Sequence, residues 1–214
     1  MVSEKFMVNS DAGRMAAARY ATENFAWHAG LDKRDAMRLD LLVEETLGMM
    51  KAMVDDFYGR LWFSGDAGAC EIHLEATANL DSNRKQELLS VSSTGKNAAA
   101  KGFMGMLGDV ISRALHNVGH AVDDAYGASA VSGSVIAPAG LGTPDLYDLA
   151  PVWTLEQYRA NVEKGRLESD ALEQAKEDLE KSIVANLADD VVVGVKGDRI
   201  ELVIRKNFKQ TGLR

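Results

Sequence analysis

Apolar residues recur along the chain at two spacings, and each predicts a kind of element. From Leu39, the positions Leu42, Val43, Thr46, Leu47, Met50, Met53 and Val54 fall on one broad stripe at about 100° per residue, the period of an α-helix. Asp40, Glu44, Lys51 and Asp55 lie opposite. A third flank, Leu41, Glu45, Gly48, Met49 and Ala52, belongs neither to the stripe nor to the charged side. Glu45 on that flank reads in two ways, as an exposed helix former or as a carboxylate on a ligand-facing surface.

Cys70 to Thr77 alternates with period two, which predicts a strand with one buried and one polar face. Ile200, Leu202 and Ile204 alternate in the same way after the apolar run Val191 to Val195, and Lys196-Gly197-Asp198 between them supplies a hairpin turn. Lys5 to Val8 and Leu88 to Ser92 read as further strands.

Boundaries follow from local chemistry. Ser10 or Asp11 can cap a helix that runs to Ala29 and stops at Gly30, and Asp32 precedes the next one. Thr154-Leu-Glu-Gln157 is a capping-box pattern, and Asp170-Ala-Leu-Glu173 resembles it before the acidic helix Glu168 to Lys181. A helix from Ala98 to Val118 and a Gly/Ala/Ser-rich loop from Tyr126 to Gly142 fill the middle, and a loop of that length suits a mobile or partner-binding element. Together these elements predict an α+β two-layer sandwich: a mixed, mostly antiparallel sheet with helices on one face.

Composition narrows the function classes. The chain has 214 residues and a net charge of -8 at pH 7, which excludes nucleic acid as the expected partner because phosphate binding needs clustered Lys and Arg. Cys70 is the sole cysteine, so no internal disulfide forms, and it reads as a buried thiol. Met-Val-Ser-Glu-Lys-Phe lacks the basic-then-apolar pattern of a signal peptide. The uncharged stretch Ala125 to Pro144 is too rich in Gly, Ser and Pro for a membrane helix. The expectation is a cytoplasmic protein with no membrane contact.

The order of strand, helix ending in Gly30-Leu31, helix with Glu44-Glu45, and strand pairs resembles the anti-sigma-factor serine-kinase branch of the histidine-kinase-like (GHKL) ATPases over residues 5 to 80. The resemblance resumes at Leu179 to Lys206, where Ser182 to Asp190 and Asp198 to Arg205 look like the closing helix and strands. It implies one GHKL-like domain over residues 1–214 with a helical and Gly/Ser-rich insertion at 98–178. It also implies that Glu45 would orient the nucleophile in phosphoryl transfer, and that Ser93, Gly95, Lys101 and Gly102 would lie near nucleotide.

Two departures from the family pattern matter. Met49 stands where the family has the Asn that helps hold Mg²⁺, and a thioether is a poor ligand for a hard cation. Ser93, in Val91-Ser-Ser-Thr-Gly95, stands where the adenine-reading Asp belongs, and a neutral hydroxyl accepts a hydrogen bond more weakly than a carboxylate. The resemblance thus implies ATP and Mg²⁺ as cofactors of an ancestral site that is degenerate here, and a regulatory protein partner as the working ligand. An active ATP-binding protein serine kinase and a structural oligomerisation module, such as a homodimer, are the alternatives.

Other constellations are weaker. Thr94-Gly95-Lys96 fails as a P-loop because Ser90 replaces the first Gly and Asn97 replaces the Mg²⁺-binding Ser or Thr. Gly102, Gly105 and Gly108 are spaced by three, which suits close helix packing. His116 and His120 have a zinc-compatible spacing, but Gly119 weakens the helix between them and no Cys joins. Trp62, Trp153 and Tyr158 read as packing aromatics.

Overall fold

The computed structural model describes residues 1–53, 57–78, 151–165, 169–196 and 199–208. Strand β1 (Phe6–Asn9) leads into helix α1 (Ala12–Ala29). The Asp11 carboxylate caps α1, accepting from Gly13 N at 2.8 Å and Arg14 N at 3.3 Å, which satisfies amides that have no partner inside the helix. Gly30 ends it at φ +74°, a conformation a side chain would strain, and Leu31 N donates back to Ala26 O at 3.0 Å. Asp32 then caps α2 (Lys33–Met53) by accepting from Asp35 N at 2.8 Å. Both helix boundaries fall where the capping residues place them.

Strands β2 (Phe57–Gly65) and β3 (Ala69–Ala78) form the next hairpin. Gly65 at φ +124° turns the chain there, where an added Cβ would meet Ala69 O at 2.0 Å. After it come β4 (Pro151–Thr154), α3 (Leu155–Glu163), α4 (Ser169–Lys181), α5 (Ile183–Leu187), β5 (Asp190–Lys196) and β6 (Arg199–Asn207). Thr154 caps α3 as its sequence pattern predicts, with Oγ1 accepting from Gln157 N at 3.2 Å. Ser182 caps α5 in the same manner. Asp170 differs from expectation: it lies inside α4, which begins at Ser169.

The six described strands form one sheet in the order β1-β2-β3-β6-β5-β4, and every pairing is antiparallel. The architecture is therefore α+β with an antiparallel sheet. The β5–β6 ladder runs from Asp190 opposite Arg205 to Lys196 opposite Arg199. Two strands escape the sequence patterns. In β2 the buried run Leu61-Trp62-Phe63 breaks the alternation, and β4 is a four-residue edge strand that opens on a proline, which an edge tolerates.

One core lies between the helices and the sheet. Leu39, Leu42, Val43, Leu47 and Met50 of α2 meet Phe25 and Ala26 of α1, Leu61 and Phe63 of β2, Ile72 and Leu74 of β3, and Leu202 and Ile204 of β6. Phe63 stacks on Phe25 at 5.0 Å and tilts against Phe6 at 6.0 Å, geometries that aromatic pairs favour. The apolar stripe of α2 is thus the packed face its period predicts. Leu155, Val184 and Ala185 bring α3 and α5 to the same side, and Arg159 ties α3 to α5 through the carbonyls of Ala185, Ala188 and Asp189. The segment 151–165, expected as part of an insertion, contributes an edge strand and core residues to the sheet.

Candidate functional site

The outer flank of α2 is where the sequence places its candidate chemistry. Glu45 is half-buried there and makes no hydrogen bond or ion pair among the described residues. Gly48, one turn on, is exposed, and a Cβ added to it would meet no described atom within 4 Å. A glycine inside a helix costs about 1 kcal/mol relative to alanine, so one that packing does not require leaves helix backbone open beside a carboxylate. Leu41 is exposed on the same side.

Met49 differs from expectation. It is 2% exposed and belongs to the core cluster, so it packs inward and does not share the outer flank with Glu45 and Gly48. A helical wheel places it at the margin of the apolar stripe, and tertiary packing widened the buried sector to include it. Among the described residues this flank offers a single carboxylate, Glu45, which does not fit Mg²⁺ with its need for several hard oxygen ligands. Among the described residues no group of three or more His, Cys, Asp or Glu could hold a metal ion. Ser93, Gly95, Lys101 and Gly102 lie outside the described residues, as do His116, His120 and the Gly/Ala/Ser-rich loop.

The sheet face turned away from the helices carries a second cluster that periodicity does not reveal. Register aligns Trp62, His73, Val203 and Val192 in a row across four strands. The expected polar face of β3 is buried at this row: His73 is 3% exposed and stacks parallel to Trp62 at 5.0 Å. Lys5 Nζ sits 4.1 Å from the Trp62 ring, a cation–π contact. Val203 and Glu201 are buried on the same face.

An ion-paired row borders this aromatic one. Arg205 Nε donates to Glu71 Oε1 at 3.0 Å, and its guanidinium lies 3.6 Å from Asp190. Glu71 Oε2 accepts from the Ser64 hydroxyl at 3.3 Å and lies 3.4 Å from His73 Nε2. His73 first, then Arg205, hold the Glu71 carboxylate down to about 2, against the opposing cost of burial. On the other side, Glu75 bridges Arg60 at 2.9 Å and Arg199 at 2.8 Å.

Ser64, His73 and Glu71 have the residue types of a hydrolase triad but not its geometry. Ser64 Oγ and Glu71 Oε2 both approach the same ring nitrogen, Nε2, at 2.9 Å and 3.4 Å. A relay needs the acid on one nitrogen and the nucleophile on the other, so that the ring can take a proton while the acid orients it. This cluster is a structural network. Cys70, buried as expected, has its thiol pushed up to about 12 by burial, which keeps it out of nucleophilic chemistry.

No helix among the described residues is long and apolar enough to cross a membrane. No protein-family model, no curated protein and no solved structure matches the chain.

Proposed function

We propose that this chain is a regulatory protein with a histidine-kinase-like ATPase fold, similar to anti-sigma-factor kinases, that acts by binding a protein partner and carries a degenerate nucleotide site. The order of elements supports the reading: a strand, a helix closing on Gly30-Leu31, a helix bearing Glu45, an antiparallel pair, and a short helix before a terminal hairpin. The observation that carries it is the flank of α2. Glu45 and Gly48 keep a half-buried carboxylate and bare backbone side by side, while Met49, at the position where the family resemblance would put a cation's oxygen ligand, is a sulfur sealed in the core.

Phosphoryl transfer depends mostly on positioning and charge neutralisation. A site that keeps its carboxylate and lacks a hard donor set retains shape and loses chemistry, and no transfer step is assigned to it. Partner binding is the role that such a scaffold can still perform.

Thermal melting with millimolar ATP and Mg²⁺ tests the degenerate-site half. A ligand bound only by the folded state at about 100 times its dissociation constant adds ~2.7 kcal/mol, several degrees for a chain of this size. The expected curve is flat, and a shift of that size would instead favour a working serine kinase. Restored binding in Met49→Asn with Ser93→Asp would mark descent from an active enzyme. For the partner half, affinity capture should lose the bound protein when Ser129 to Gly142 is deleted, and unchanged capture would count against that loop.

A further inference from the structure

Ser64, Glu71 and His73 bring three heteroatoms together on the sheet face turned away from the helices. Ser64 Oγ lies 2.9 Å from His73 Nε2 and 3.3 Å from Glu71 Oε2, and Nε2 lies 3.4 Å from Oε2. Each group has few roles open to it. An ionised carboxylate only accepts, a serine hydroxyl has one proton to give, and a neutral imidazole bears its proton on one ring nitrogen or the other. At neutral pH Glu71 is ionised, since its carboxylate is held down to about 2.

Those limits leave one arrangement that fills both contacts of Ser64. Its hydroxyl proton goes to Glu71, which has none to return. Ser64 Oγ is then the acceptor toward His73, and Nε2 must be the donor. A bare Nε2 has no good solution: the hydroxyl proton given to His73 leaves the carboxylate against two lone pairs, and given to Glu71 it leaves two lone pairs 2.9 Å apart. We infer that His73 carries its ring proton on Nε2 and that Ser64 relays this hydrogen bond to Glu71, a one-way polar latch between β2 and β3.

Beyond Glu71 the latch continues across the sheet. Oε1 accepts from Arg205 Nε at 3.0 Å on β6, and the same guanidinium lies 3.6 Å from Asp190 on β5. Hydrogen bonds in such a chain polarise one another, most of all where water is excluded, and His73 is 3% exposed. The polarity is the reverse of a hydrolase triad, in which the imidazole takes the serine proton. Ser64 is therefore a relay and not a nucleophile. The latch lies on the opposite face of the sheet from α2 and stands apart from the nucleotide reading.

Nitrogen NMR of the full chain, with isotope-labelled histidine at mildly alkaline pH, tests the assignment; the His73 ring is identified by its contact with the Trp62 indole protons. The expected spectrum has a proton on Nε2 and a bare Nδ1, and a bare Nε2 with the proton on Nδ1 would overturn the inference. Side-chain exchange supplies a second readout. The glutamine amide can donate from the place of Nε2, so carbon NMR should find the low titration of Glu71 kept in His73→Gln and moved upward in His73→Ala. Ser64→Ala, which removes the hydroxyl that donates to Oε2, should also move it upward. A Glu71 titration unmoved by both alanine variants would refute the relay. So would a covalent adduct on Ser64 with a fluorophosphonate probe, which requires the opposite polarity.

Discussion

The two faces of the sheet are built from the same strands by different means. Toward the helices, Leu61, Phe63, Ile72, Leu74, Leu202 and Ile204 bury hydrocarbon against α1 and α2, a non-directional force that any well-shaped apolar residue can serve. Toward the other side, Trp62, His73, Glu71 and Arg205 are held by stacking, hydrogen bonds and ion pairs, each with a required geometry. Buried polar groups cost free energy unless they are partnered. The first face therefore tolerates conservative exchange and fails through cavities, whereas the second fails when a partner is taken away.

The largest effect is expected on the helix side. Phe63→Ala, at a fully buried ring touching Phe25 and Phe6, should cost about 3–5 kcal/mol in urea denaturation. A loss under about 1 kcal/mol there would mean that this layer is not the tight core described. On the opposite face, His73→Ala removes a ring stack and the contact with Ser64, together about 2 kcal/mol. A double-mutant cycle with Ser64→Ala should show coupling, and strict additivity would dissolve the network into separate contacts.

Acid separates the faces further. The carboxylate of Glu71 is held at about 2 in the folded chain, below its ordinary 4.5, so its stabilisation is complete above pH 4.5 and is lost as pH falls toward 2. Glu71→Gln should flatten that acid limb by about 1 kcal/mol, a figure discounted for the partial exposure of the side chain. Phe63→Ala should lower the whole curve without changing its slope. The smallest effect has the opposite sign. Gly48→Ala, in open space on α2, should stabilise the chain by about 0.5–1 kcal/mol, and a loss of stability would show that packing does require the glycine.

How far the sequence speaks depends on the distance over which each decision is made. Asp11, Gly30, Asp32 and Thr154 act on amides and carbonyls a few residues away, and the helix ends they predict are the ends observed. The stripe of α2 and the alternation of β6 repeat the period of a single element, so they too are visible in one dimension. Strand β2 is not, because Trp62 is buried on the second face between Leu61 and Phe63 on the first, and the alternation disappears. Met49 shows the same limit within a helix, since the width of a buried sector depends on what packs against it.

For the candidate site, helical spacing puts Glu45 on one flank of α2 and only the family resemblance gives it a role, and the structure leaves Glu45 half-buried while drawing Met49 away from it. The Ser64–Glu71–His73–Arg205 network had no sequence signal beyond a strand with charged residues on its polar face. Register made the network by placing residues from β2, β3 and β6 side by side.

By itself the sequence determined where α1, α2 and α3 begin and where α1 ends, which side of α2 seeks a core, and that β5 and β6 pair. Those outcomes rest on hydrogen bonds and periodicities that close within a few residues. Tertiary structure alone decided that both faces of the central strands are buried, that a histidine stacks on a tryptophan, and that a methionine at the edge of a stripe turns inward. Each of these needs a neighbour far away in the chain, and its free energy exists only once the strands have paired.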